Sequence, residues 1–171
     1  PLFAAEEFLK GEGFTDVRSL KKGRVEANKA LASGEAHFTQ GFNGNLSVQV
    51  DEGDPIVILA GVHPGCYELF SKVQIRSVRD LKGKSVAVTD LGSGRHVFLA
   101  SMLTHVGLDP RKDVKFVTYP PPEAMRLFIE GKIDAFMANP PEPQELRAKK
   151  IGHIAVNGMM DRPWSQYFCC M

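Results

Sequence analysis

An α/β fold of doubly wound sheets is the class these 171 residues predict, and three observations carry it. Strand-like and helix-like stretches alternate with short connections, the pattern of β-α-β units with right-handed crossovers. The run DPIVILAGV (54–62) is almost continuously aliphatic, which suits a strand covered on both faces of a sheet. From Gly94 to Val106, Leu99, Leu103 and Val106 recur at helical spacing, and Gly107 follows as a terminator.

Taken in order, LFAAEEFLKGEG places Leu2, Phe3, Phe8 and Leu9 on one helical face and ends at glycine. DVRSLK then reads as a strand, RVEANKALASG as a helix stopped by Gly34, AHFTQGF as a strand and NGNLSVQVDEG as a short helix. After DPIVILAGV comes CYELFSK, another extended run, then a short helical stretch around Gly83 that leads into a strand at Ser85 to Val88. The remainder alternates: DVKFVTY is a strand, PPPEAMRLFIEGK a helix, IDAFMAN a strand, PPEPQELRAKK a helix and IGHIAVNG a strand. Residues 84–157 therefore spell β-α-β-α-β-α-β. The opening is the exception, because a helix without a strand ahead of it implies a missing piece.

Bulk composition narrows the function classes. Hydrophobic residues make up 43% and charged residues 24%, the proportions of a water-soluble domain. No apolar run nears the ~20 residues that cross a bilayer. The formal net charge is +1 with both signs interspersed, so neither nucleic acid nor an anionic membrane is an expected partner. The chain opens at Pro1 with no Met and no signal peptide. Cys66, Cys169 and Cys170 are too few for a disulfide framework and too unevenly spaced for a zinc ribbon.

The stretch DLGSGRHVFLASML (90–103) invites three chemical readings. A nucleophile elbow needs Gly two residues either side of the serine, but Leu91 and Arg95 flank Ser93 there. A phosphate loop needs Gly-Lys-Ser/Thr, and Gly94 is followed by Arg95 and His96. A dinucleotide fingerprint needs Gly where Val97 stands. What remains is a helix N-terminus, whose spare N–H groups and dipole suit an anion. Arg95 and His96 in the first turn oppose that dipole, a cost of roughly 0.3–1 kcal/mol that a bound acid would offset.

The segments PLFAAEEFLKGEGF, ALASGEAHFT, GDPIVILAGV, SVRDLKGKSVAV, GLDPRKDVKFV and EAMRLFIEGKIDAFMANPPEPQELR occur in that order. Together they resemble the solute-binding proteins of nitrate-, sulfonate- and taurine-type ABC importers, the NMT1/THI5-like group. The resemblance implies a periplasmic binding protein type II fold: two doubly wound sheets joined by crossover strands, with the first lobe truncated at both chain ends. On that frame residues 1–65 are an incomplete lobe I, 66–72 the outward crossover and hinge, 73–163 lobe II, and 164–171 the return crossover toward lobe I. A second chain, a swapped segment or sequence outside these residues would complete lobe I.

The resemblance further implies a ligand cleft lined by loops at strand ends. Carried over by position, its residues are Pro1, Leu2 and Phe3 at the first helix, Asn43 and Gly44 after the second strand, and His63 and Pro64 before the crossover. Lobe II adds Ser93, Gly94, Arg95 and His96 at a helix start and Asn139, Pro140 and Pro141 after IDAFMA. The implied role is capture of a small, anionic solute for delivery to membrane permease subunits, outside the cytoplasm, with no catalysis and no cofactor. Plainer roles stand beside these: Asn43 capping a helix, Pro140 and Pro141 starting one, and His63 bonding backbone; Trp164 and Tyr167 read either as stacking on a ligand or as packing the hinge. Leu99, Leu103, Leu127 and Phe128 read as core.

Two rival classes share the architecture. Thiamine-pyrimidine synthases carry a longer His-Cys-Cys-Cys run than FCCM offers, although His63, Cys66, Cys169 and Cys170 together make a soft ligand set. The effector domain of a LysR-type regulator would follow a helix-turn-helix, and none is visible in these residues. For the cysteines, free thiols in packed strands and a disulfide from Cys66 to one of the pair, locking the hinge, both stay open.

Overall fold

The computed structural model describes residues 5–171. In chain order come helices α1 (Glu6–Gly11), α2 (Arg24–Ala32) and α3 (Asn43–Asp51), then strands β1 (His63–Pro64), β2 (Glu68–Ser71) and β3 (Ser85–Val88). Helix α4 (Gly94–His105), strand β4 (Lys115–Thr118), helix α5 (Pro121–Ile129), strand β5 (Ala135–Ala138) and helix α6 (Glu142–Ala148) follow. Strands β6 (His153–Asn157) and β7 (Phe168–Cys170) close the chain.

Five strands form the main sheet in the order β4-β3-β5-β2-β6. Strand β3 is parallel to β4 and β5, while β2 runs antiparallel to both β5 and β6. The alternation read from residues 84–157 is realised element by element. The run CYELFSK does more than cross between halves of the chain: four of its residues, as β2, fill the gap between β5 and β6.

Strand periodicity explains why both sheet faces are covered. Leu69, Val86, Val88, Ala135 and Met137 point to one side and pack with Leu99, Met102 and Leu103 of α4. Phe70, Ala87, Phe136 and Ala138 point to the other, against Ala124, Leu127 and Phe128 of α5 and Leu146 of α6. Each of the larger side chains gains about 1.5–3 kcal/mol on leaving water. All four residues of β5 are buried, as a strand clad on both faces requires.

The first half of the chain departs from expectation. Helices α1, α2 and α3 form where the sequence placed them, but DVRSLK and DPIVILAGV carry no strand. AHFTQGF contributes only a bridge from Phe42 to Cys170. In place of a second wound sheet stands a narrow ribbon. Strand β1 pairs antiparallel with β7, and Gly41 and Met171 exchange both backbone hydrogen bonds beside it. Among the described residues the aliphatic run 54–62 meets β7 only where the Val62 N–H donates to the Cys170 carbonyl. Without ladder partners it forms no strand, and Val57 is 79% and Leu59 72% exposed. Apolar content made this run look like a strand, and pairing is what a strand needs.

One carboxylate ties the three central strands where β3 and β5 begin and β2 ends. Asp134 accepts from the Ser85 N–H (2.9 Å) and hydroxyl (2.8 Å), and from Lys72 Nζ (2.9 Å). Burial alone would raise this carboxyl, but the Ser85 N–H and Lys72 outweigh burial and hold it at about 2. A carboxyl depressed by folding contributes stability above its unfolded value, and that contribution fades as pH falls toward the folded one. Asp134→Asn should therefore cost about 1–2 kcal/mol at neutral pH. Urea denaturation at stepped pH is expected to show the gap to the parent protein closing between about pH 4 and pH 2.

Candidate functional site

A cavity of about 360 Å³ opens where α3, α4 and the two crossing segments meet. Phe42, Asn43 and Gly44 enter from the start of α3, and Gly65, Cys66 and Tyr67 from the turn between β1 and β2. Helix α4 presents Val97, Phe98, Ser101 and His105, and the return segment adds Trp164, Tyr167 and Cys169. The volume lies in the range of small-molecule sites, about 300–1,000 Å³.

The wall is mainly aromatic. Phe42 meets Tyr67 edge-on at 5.3 Å and Phe98 at 6.3 Å, and Phe98 in turn meets Trp164 at 6.5 Å. His105 packs against Trp164 at 5.1 Å. Polar atoms come from Asn43, Ser101, His105 and the two tyrosines. The Ser101 hydroxyl donates to the Phe98 carbonyl (2.7 Å), and Asn43 Oδ1 accepts from the Ser47 hydroxyl (2.8 Å). No Lys or Arg is among the described lining residues.

A disulfide from Cys66 to Cys169 clamps the floor, spanning Cα atoms 6.0 Å apart. The alternative of three thiols is thereby corrected: the two sulfurs come together because β1 and β7 pair beside them. Cys170 stays outside the bond.

The residues carried over from the resemblance fall into separate groups. Asn43 and Gly44 line the cavity, Asn43 as the first helical residue rather than the cap, which is Phe42. His63 sits behind the wall with Nδ1 3.8 Å from Cys66 Sγ, and Pro64 is exposed. Pro1, Leu2 and Phe3 lie outside the described residues. Asn139, Pro140 and Pro141 lead into α6 without reaching the cavity.

The start of α4 is where geometry reverses expectation. Ser93 caps the helix by accepting the His96 N–H (3.3 Å), and its hydroxyl donates to the Asp90 carbonyl (2.6 Å). Gly94 is covered: a Cβ there would stand 2.8 Å from the Phe42 ring and 2.6 Å from the Tyr67 hydroxyl. Burial lowers the His96 imidazole below its ordinary value. The neutral ring accepts the Gly92 N–H at Nδ1 (3.0 Å) and leans on Phe116.

Arg95 turns inward and is 8% exposed. Its guanidinium grips both Glu142 oxygens (2.9 and 2.8 Å) and donates to the Met137 carbonyl (3.0 Å). Glu142 Oε2 also accepts the Asn139 N–H at 2.7 Å. This corrects Arg95 as receptor for an incoming anion. Its charge is already met by a carboxylate three residues beyond Asn139.

Sequence reasoning missed Val97, Ser101 and His105. They recur at i, i+4 and i+8 on a face of α4 beside the Leu99–Leu103 core stripe, with Phe98 between, and that second stripe was legible. Trp164 and Tyr167, open to ligand stacking or hinge packing from the sequence, line the cavity, and Trp164 also packs on Phe98 and His105.

A family model described as NMT1/THI5-like matches residues 3–165. No curated protein sequence matches the chain significantly. The fold is similar to that of the periplasmic aliphatic sulphonate binding protein SsuA of Escherichia coli, with a TM-score of 0.69 at 20% identity. That match covers 96% of this chain and 62% of the other. A putative periplasmic sulfonate-binding protein of Methylobacillus flagellatus gives 0.66 at 23% identity, covering 94% and 50%. The periplasmic nitrate-binding protein NrtA of Synechocystis gives 0.59 at 19% identity, covering 93% and 48%. The chain thus spans about half to three fifths of these solved structures, and its fold is that of periplasmic binding proteins.

Breaking a buried ion pair by removing one partner costs about 3–5 kcal/mol. Glu142→Ala is expected to fall in that range, since it orphans both a buried guanidinium and the Asn139 N–H. Arg95→Met should cost less, because Met keeps the apolar stem of the side chain and Glu142 still accepts from the Asn139 N–H. Chemical denaturation of the two variants checks the order.

Proposed function

The chain belongs to the NMT1/THI5-like family, and from that premise we propose that it is the solute-binding part of an ABC importer. Its ligand is a small organic anion, held between lobe I, represented by α3, and lobe II, represented by α4. Residues 66–72 and 164–171 act as the hinge segments, and closure of the lobes presents the loaded protein to permease subunits. The observation that carries this reading is the aromatic-walled cavity at the junction of α3, α4 and both crossing segments.

The wall also supports one ligand class over others. Five aromatic rings favour a solute with an apolar or aromatic body rather than bare nitrate or taurine. For the anionic head, the start of α3 serves better than the start of α4. Phe42 gives α3 no side-chain cap, so the first-turn N–H groups and the helix dipole bear on the cavity rim at Asn43 and Gly44. An organosulfonate with a hydrophobic body satisfies both demands. Binding without turnover fits the lining groups, as the Ser101 hydroxyl is spent on a backbone carbonyl. The Cys66–Cys169 disulfide fits an oxidising, extracytoplasmic compartment.

Thermal-shift assays with benzenesulfonate, taurine and nitrate test the reading. A ligand at a hundredfold excess over its Kd stabilises the native state by about 2.7 kcal/mol. Benzenesulfonate should give the largest rise in Tm, and Phe98→Ala should diminish it. Larger shifts with nitrate or taurine than with benzenesulfonate would contradict the assignment.

A further inference from the structure

Three cysteines and one histidine converge where β1 and β7 cross the turn into β2. Cys66 is bonded to Cys169, and Cys170 Sγ lies 3.8 Å from Cys169 Sγ. A ring nitrogen of His63, Cys66 Sγ and Cys170 Sγ all lie within 4.8 Å of one another. The third thiol is therefore within reach of both sulfurs of an existing disulfide, with an imidazole beside it.

We propose that these residues form a disulfide relay in which Cys66 exchanges its partner between Cys169 and Cys170. His63 takes the proton of the Cys170 thiol, and the thiolate attacks Cys66 Sγ. The Cys66–Cys170 bond forms as the Cys66–Cys169 bond breaks, the electron pair leaves on Cys169 Sγ, and the proton held by His63 neutralises it. One thiol and one disulfide stand on each side of the exchange, with no external oxidant or reductant needed.

Attack at Cys66 is the productive direction. Attack at Cys169 would join sequence neighbours, whose Cα atoms are about 3.8 Å apart, short of the roughly 4.4–6.8 Å usual for a disulfide. Cys66 with either partner closes a loop of about a hundred residues, so the two linked forms constrain the unfolded chain almost equally. They differ at the cavity instead. Cys66 and Cys169 line it and Cys170 does not, so exchange replaces a disulfide in the floor with the Cys169 thiol and tethers β7 one residue further along. The cavity then has two covalent forms, independent of which solute it takes.

Mass-spectrometric disulfide mapping tests this on the purified protein and on Cys169→Ser and Cys170→Ser, each held with oxidised glutathione at about pH 8, near the thiol's ordinary value, then acid-quenched and alkylated. The expected result is that Cys169→Ser closes Cys66–Cys170 and Cys170→Ser closes Cys66–Cys169. The parent protein should show both linkages, with alkylated Cys169 and alkylated Cys170 each present, and His63→Ala should reach that mixture more slowly. Cys169→Ser that leaves Cys66 and Cys170 unlinked while Cys170→Ser closes its bond would overturn the relay. So would a parent protein that stays wholly Cys66–Cys169.

Discussion

A single antiparallel strand organises the molecule. Strand β2 runs against four strands that otherwise share one direction, and it occupies the middle of the sheet rather than an edge. Because Leu69, Phe70 and Ser71 are buried between β5 and β6, the turn that precedes them cannot drift. That turn carries Gly65, Cys66 and Tyr67 into the cavity wall. Gly65 takes a φ of 51°, and a Cβ there would stand 2.6 Å from the Met159 Cα, so the close crossing of chains depends on glycine. The disulfide then fixes β7 to the same point, and β7 holds Gly41 and Phe42 at the head of α3. Sheet register is thereby passed, link by link, to the rim of the cavity.

Charge is distributed to leave that rim neutral. Arg95, at the head of α4, is bound inside by Glu142, which also holds the entry to α6 through Asn139. The pair braces α4 against α6 across the C-terminal end of β5. A buried pair of this kind is weak evidence for net stability, but its bidentate geometry orients both helices. What remains for a ligand is aromatic surface, a few hydroxyl and amide groups and the dipole at the start of α3.

The second half of the chain was legible because its residues obey local rules. Leu99, Met102 and Leu103 mark one helix face, Leu127 and Phe128 another, and glycines at 83, 107 and 131 take positive φ where the elements end. The first half was not, since Val57 and Leu59 look like a buried strand whether or not a neighbouring strand pairs with them. At the site, position along the chain pointed to the head of α4, and what that cannot reveal is direction. Arg95 faces Glu142 because of how α6 docks, a contact 47 residues away in sequence. Cys66 finds Cys169 for the same kind of reason, across 103 residues.

The chain's single tryptophan, Trp164, is in the cavity wall, so its emission reports the central claim directly. Titrating benzenesulfonate while following tryptophan fluorescence should give a saturable change whose Kd agrees with calorimetry on the same sample. Calorimetric binding with unchanged Trp164 emission would place the ligand elsewhere and contradict the account.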